Sequence, residues 1–278
     1  MLGKKRTGAI LCPSCGKLVG VSDAECLYCG RKNPGMWGLG SVFQSLGRGA
    51  GLQQIVYVGT AFLYFASLAV DPSNIGMSGL FNLLSPSRES LLRFGMSGAI
   101  PVYLLDRWWT VLSAGWLHGN LLHIAFNLYW VRMLVPEMAE LYGTSRTVIL
   151  YTVSSAFAFF ATSTLGYFVP FLGAHLTVGA SAAIAGLVGA MVYYGRRAGS
   201  SLIRRQAWSF AITVIAIGFF IPRADNTAHI AGFIGGYLTG RLLDPLKPER
   251  GDHTAAAVVC LVLTLASVVA SLLVPLRL

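Results

Sequence analysis

The sequence predicts an all-α, polytopic membrane protein carrying a small cysteine-rich head at its N-terminus. Three observations predict it. Of 278 residues, 55% are hydrophobic and only 12% charged, against about 25% charged in an ordinary soluble domain, and the mean hydropathy is +0.64. The chain divides into seven apolar segments joined by short basic loops, and residues 255–274 hold no ionisable side chain except Cys260. Four of the five cysteines fall within the first 29 residues. This composition excludes a soluble globule, and the length leaves no room for a separate large catalytic domain, so any chemistry is expected within the membrane part. The net charge of +10 sits in loops beside apolar runs and forms no stripe of its own. It reads as a topology signal, with the lipid bilayer and not nucleic acid as the partner.

In the head, Cys12, Cys15, Cys26 and Cys29 form two Cys-x-x-Cys-Gly units separated by ten residues. Each short loop aims two thiolates at one point, and Gly16 and Gly30 let the backbone curl so that amides face the sulfurs. Four soft ligands suit a closed tetrahedral structural zinc site; two disulfides or redox thiols are the alternative, disfavoured by a reducing cytosol. Cys260, alone in an apolar run, reads as an inert helix residue. Arg31, Lys32, Pro34 and six glycines within 31–53 read as a flexible tether. The expected division is a head at 1–35, a linker at 36–53, a six-span core at 54–243, and a loop with a seventh span at 244–278. Residues 1–51 are polar, basic and Gly-rich, so no cleavable secretion signal is expected.

The apolar segments lie at about 54–70, 119–135, 147–169, 180–195, 206–221, 228–243 and 255–275. The shortest reach only about 23–25 Å as helices, enough for a thinned bilayer or a protein interior. Placing the N-terminus in the cytoplasm puts sixteen Lys and Arg inside and five outside (Arg88, Arg93, Arg107, Arg223 and Arg277). An odd number of spans then leaves the C-terminus outside, in an inner or plasma membrane. The connection 71–107 contains Pro72, Pro86 and Pro101 and few charges. It is expected to dip into the interface or pack on the bundle.

Ionisable groups inside a span cost about 2.5–3.5 kcal/mol even on a lenient scale, so each calls for a reason. His123 and Asn127 are four apart and share a helix face, with His118 just before that span. Ser181 begins a short span after a Gly-containing loop, where free amides and the helix dipole favour a nearby oxyanion. Taken alone, Ser181 could equally bond back to a carbonyl, and the histidines and Asn127 could be structural glue between helices. His229 opens another short span in which Gly232, Gly236 and Gly240 recur every fourth residue. The span of Ser181 has its own small ridge in Ala182, Gly186 and Ala190, so these two helices are expected to pack closely. With their outer ends together, Ser181 and His229 fall at similar depth, within reach of a nucleophile-base hydrogen bond. Such a pair does acyl transfer, with His229 as base, Ser181 as nucleophile, and Asn127, His123 and the Ser181 amide as oxyanion donors. No buried carboxylate is available as a third member, Asp225 lying a turn earlier in the loop, so a dyad is implied. Reading His118 and His123 as metal ligands fails for want of the His-Glu-x-x-His spacing.

Trp109 through Asn127, the Gly-Ala-Ser element at 179–181, and Asp225-Asn226-x-Ala228-His229-x-x-Gly232-x-x-x-Gly236 together resemble the rhomboid family of intramembrane serine proteases over about 54–243. The seventh span is similar to the family's six-plus-one arrangement, and the cysteine head resembles that of bacterial zinc-ribbon variants. The resemblance implies that Ser181 is the nucleophile and His229 the general base. It also implies that His123 and Asn127 stabilise the oxyanion and that Gly179 makes the tight turn before the serine. No cofactor is implied for catalysis. Substrates are then single-span membrane proteins cut near their outer end, in segments that unwind cheaply. Three positions depart from the pattern: Ala182 stands for the usual glycine, Ala185 for a tyrosine that stacks on the histidine, and Trp109-Thr110 for a Trp-Arg pair. The competing reading is a catalytically silent relative that binds transmembrane helices.

Overall fold

The computed structural model describes residues 8–12, 15–35, 50–221 and 224–276. Most of the stretch expected to be a tether, 36–49, lies outside the described residues. Two short strands, β1 (Ala9–Leu11) and β2 (Leu18–Gly20), pair antiparallel to open the head. Seven long helices follow, one for each apolar segment: α1 (Ala50–Val70), α4 (Leu121–Tyr142), α5 (Thr144–Phe168), α6 (Ser181–Arg197), α7 (Ser201–Phe220), α8 (Asn226–Leu242) and α9 (Gly251–Leu273). Two short helices, α2 (Arg88–Phe94) and α3 (Thr110–Ser113), belong to the connection between α1 and α4.

Four of these helices, α1, α5, α7 and α9, are long and apolar enough to cross a bilayer by themselves. The other three fall short of that length or apolar character. α6 and α8 have 17 residues each, about 25 Å at the helical rise. Every residue of α6 from Ala182 to Val192 is buried, as suits a helix that is apolar all round. α6 is therefore the axis of the bundle, with α4, α5, α7 and α8 packed about it.

The tightest contact is between α6 and α8, and glycine makes it possible. A Cβ on Gly236 would fall on the Gly186 carbonyl, one on Gly232 on the Ala182 carbonyl, and one on Gly240 would come 3.1 Å from Ala190 Cβ. The expected ridges therefore meet, joined by Gly189, which faces the Phe233 carbonyl. Neither helix has side chains to spare at this crossing, so backbone lies on backbone and dispersion contacts replace the hydrophobic drive that lipid does not supply.

α4 continues through Pro136 to Tyr142, seven residues beyond the expected end of its apolar segment. The proline removes one ladder hydrogen bond, but Tyr142 is buried and its hydroxyl donates to the Ala190 carbonyl at 2.9 Å. This tertiary bond holds the last turn. α1 begins at Ala50, inside the stretch expected to be linker, because Leu52 is already core.

The connection 71–107 packs on the bundle, with Leu91, Leu92, Phe94 and Met96 buried in the main core. Arg107 is not a loop charge in water. It is 1% exposed, donating through Nη1 to the Leu92 carbonyl at 2.6 Å and through Nη2 to the Ser271 carbonyl. Trp109 Nε1 donates to Ser271 Oγ at 3.0 Å, and Ser267 Oγ donates to the Trp109 carbonyl at 2.6 Å. These bonds clamp the last turns of α9 to the connection. At the other end of the bundle Arg146 is buried and donates to the carbonyls of Leu243, Asp244 and Lys247 at 2.8–3.0 Å. A cation there satisfies the carbonyls of the cap and loop that follow short α8.

Replacing Gly236 by valine is expected to force α6 and α8 apart and to cost about 1–3 kcal/mol. Thermal unfolding of the detergent-solubilised chain measures this; an unchanged midpoint would contradict the backbone contact.

Candidate active site and cysteine cluster

Ser181 is the first residue of α6 and His229 lies in the first turn of α8. Because the two helices cross in register, Ser181 Oγ and His229 Nε2 are 2.9 Å apart, within hydrogen-bond distance. His229 is 7% exposed and Ser181 is half-buried, so the hydroxyl stays reachable while the imidazole is enclosed. The N-terminus of α8 is fixed by Asp225. Its Oδ1 accepts from the Ala228 amide at 2.9 Å, capping the helix, and from Thr162 Oγ1 at 3.0 Å, tying it to α5. Asp225 thus bears on the imidazole through the backbone and makes no hydrogen bond to the ring.

The other ring nitrogen, His229 Nδ1, is buried without a hydrogen bond, as is Asn226 Oδ1 one turn earlier. Both crowd the same point on α7, since a Cβ on Gly218 would meet Asn226 Oδ1 and lie 3.1 Å from His229 Nδ1. The ring nitrogen and the amide oxygen therefore approach the same glycine without bonding to each other. Asn226 belongs to the quoted motif, but its face toward the ring depends on how α7 passes, which no sequence spacing reveals.

His123 and Asn127 project from the first turns of α4, which Asn120 caps by accepting from the His123 amide at 2.7 Å. Gly179 brings them to the serine. Its φ is +130°, a region that favours glycine. A Cβ there would come 2.5 Å from His123 Nε2 and 3.6 Å from Asn127 Nδ2. Both side chains thus lie against the backbone two residues before Ser181. His123 Nδ1 accepts a long hydrogen bond, 3.4 Å, from the Gly119 amide, which assigns the ring proton to Nε2, the atom facing Gly179. Asn127 Nδ2 is a buried donor with no partner. Two N–H donors therefore lie against the chain just ahead of Ser181, where α6 begins with amides outside its own ladder. His118 is fully buried and stands edge-on to His123, ring centroids 5.0 Å apart. It backs His123. The departure at Ala182 is a matter of packing: the residue joins an apolar cluster with Ala114, Phe159 and Ala231.

In the head the four cysteine sulfurs lie within 4.8 Å of one another. Cys12 and Cys29 Sγ are 3.8 Å apart, Cys15 and Cys26 Sγ 3.7 Å, so none is in a disulfide. Sulfurs at about 2.3 Å from a common centre in a tetrahedron are about 3.8 Å apart. The two loops repeat one geometry, with Gly16 N donating to the Cys12 carbonyl and Gly30 N to the Cys26 carbonyl, both at 2.9 Å. Gly16 and Gly30 have φ of +70° and +71°. Desolvation alone would raise the Cys26 thiol, but the amides of Tyr28 and Cys29, together with the sulfurs of Cys29 and Cys15, outweigh it and draw the thiol down to about 7. At Cys15 the Lys17 amide favours the thiolate, but desolvation and the neighbouring sulfurs push the thiol up to about 12.

Residues 105–245 match the family model of the Rhomboid domain. The chain is 32% identical over 173 residues to RHOMBOID-like protein 4 of Arabidopsis thaliana, covering 61% of this chain and 42% of that protein. It is 26% identical over 183 residues to Rhomboid protease GluP of Bacillus subtilis, covering 64% of this chain and 34% of that one. It is 34% identical over 136 residues to Rhomboid protease GlpG of Yersinia pestis, covering 47% and 46%. The chain thus spans less than half the length of these three relatives.

Alanine at Gly179 is expected to cost about 1–3 kcal/mol, from the left-handed backbone and from the methyl group that would displace His123. Alanine at Asp225 removes a cap and should cost about 1 kcal/mol. Thermal unfolding of the two variants measures both, and wild-type midpoints would contradict the geometry.

Proposed function

The chain belongs to the rhomboid family of multi-pass membrane proteins, and from that premise we propose that it is an intramembrane serine endopeptidase acting through Ser181 and His229. The observation that carries this reading is the 2.9 Å contact between Ser181 Oγ and His229 Nε2, with His123 and Asn127 held against Gly179 two residues before the serine. His229 Nε2 takes the hydroxyl proton as Ser181 Oγ attacks a peptide carbonyl. The proton then passes to the leaving amine, and water, activated by the same imidazole, releases the acyl group. His123 Nε2–H, Asn127 Nδ2–H and the Ser181 amide stabilise the oxyanion of both tetrahedral steps. With Nε2 accepting, the ring proton resides on Nδ1, and the packing of α8 against α6 holds the imidazole in place. Substrates are transmembrane proteins whose segment near the site unwinds readily, since an intact helix hides each carbonyl in its ladder. The N-terminus and the head lie in the cytoplasm, the catalytic end of the bundle and the C-terminus outside, in keeping with the uneven distribution of Lys and Arg.

The test is co-expression with a panel of single-span substrates. Ser181→Ala and His229→Ala should each lower cleavage by about 10³-fold or more, and Asn127→Ala by about 10²–10³-fold, with wild-type melting. A wild type that pulls down the substrates without cutting them would favour the silent, helix-binding reading.

The head is proposed to hold one structural zinc ion on Cys12, Cys15, Cys26 and Cys29, whose spacing and donor type suit it. Elemental analysis of the purified chain should give one zinc per chain. Protons compete with the metal for the thiolates, so zinc should be retained at neutral pH and released in acid. Retention of zinc in the quadruple Cys→Ser variant would contradict the assignment.

A further inference from the structure

At the end of the bundle away from Ser181 a cleft of about 510 Å³ lies between α7 and α8, closed at the back by α6. The volume is that of a typical small-molecule site. Its walls are apolar: Val192 of α6, Trp208 of α7, and Phe233, Ile234 and Leu238 of α8. Trp208 and Phe233 lean together at one end, ring centroids 5.9 Å apart. At the other end the cleft is bounded by Arg196, Arg204 and Tyr237.

These two arginines differ from their neighbours. Arg197 pairs with Asp244 at 3.7 Å, and Lys247 takes the other oxygen of that carboxylate at 3.5 Å. Among the described residues no acidic group pairs with Arg196 or Arg204. Arg196 Nη1 donates to Tyr237 OH at 3.3 Å, which keeps its guanidinium at the mouth of the cleft. Arg204 comes from a different helix, brought close where its backbone crosses Gly195; a Cβ on that glycine would lie 2.6 Å from Arg204 N. Two arginines from two helices thus line one end of an open apolar slot.

We propose that this cleft is a binding site for one anionic phospholipid. Arg196 and Arg204 hold its phosphate, with the Tyr237 hydroxyl beside them, and an acyl chain runs along Trp208, Phe233, Ile234 and Leu238. The charge complementarity selects the occupant. A transmembrane helix would bring no group to match two unpaired cations at that depth, and a zwitterionic lipid would set its own cation against them. His229, Phe233 and Tyr237 are spaced four apart and share a face of α8. The lipid therefore packs on the helix that carries the histidine and braces it from the opposite end of the bundle.

The test uses the full chain in neutral detergent and reads retained lipid by native mass spectrometry, with phosphatidylglycerol and phosphatidylcholine offered at equal concentration. Wild type is expected to keep one phosphatidylglycerol about 10-fold more often than phosphatidylcholine. The double variant Arg196→Gln/Arg204→Gln should lose that preference, whereas Arg197→Gln/Arg205→Gln, one residue along each helix, should keep it. Trp208→Ala should weaken retention of both lipids. Phosphatidylglycerol should also raise the melting temperature of wild type and of Ser181→Ala, so the outcome does not depend on whether the chain cleaves peptides. Equal retention of the two lipids, or a cleft variant that still prefers phosphatidylglycerol, would overturn the proposal. So would equal loss in both double variants, or inorganic phosphate alone giving the same rise in melting temperature.

Discussion

Everything at the serine depends on α6 and α8 touching through their backbones. At Gly186, Gly232 and Gly236 the chain has removed the side chains that would hold two helices 8–10 Å apart, and the reward is positional. Helices in such contact have little freedom to slide or rotate, so a hydroxyl at the start of one and an imidazole in the first turn of the other stay at 2.9 Å. Both helices have 17 residues, about 25 Å, and both pack against several protein neighbours. A site built at their ends is therefore near the surface of the bundle and accessible to water, while its supports are in the packed interior.

The rest of the bundle secures that contact from several sides. α5 supplies Thr162, which holds the Asp225 cap, and Arg146, whose guanidinium takes up the carbonyls following α8. The same short helix is thus fixed at both ends by the same neighbour. On the side of the serine, Gly179 allows the chain to pass under His123 and Asn127, and its amide donates to the Ala114 carbonyl at 3.0 Å. The connection ahead of α4 is in turn clamped to α9 by Arg107 and Trp109. The seventh helix thereby steadies the layer that brings His123 and Asn127 toward the start of α6.

Much of this is legible in the residues. Hydropathy marks all seven helices, and a four-residue glycine repeat names the two that meet, because small residues at helical spacing have few other uses between spans. Serine, histidine and asparagine are conspicuous for the opposite reason, being costly in lipid. What stays hidden depends on tertiary partners. Arg107 looks like a solvated outer charge until two carbonyls from distant segments are seen to enclose it. Pro136 looks like a helix end until Tyr142 is found bonded to Ala190. The place of Asn226 behind the imidazole requires knowing that α7 presents a glycine, Gly218, at that level. The cleft with Arg196 and Arg204 is equally invisible, since neighbouring arginines in the same loop differ only in which way their helices turn them.

The most direct measurement is mass spectrometry of peptides from the intact chain after treatment with a fluorophosphonate. A single adduct on the peptide containing Ser181, absent in the His229→Ala variant at equal folding, is the expected result. Modification of other serines alone, or labelling of Ser181 that persists undiminished without the imidazole, would contradict a hydroxyl activated across the α6 and α8 contact.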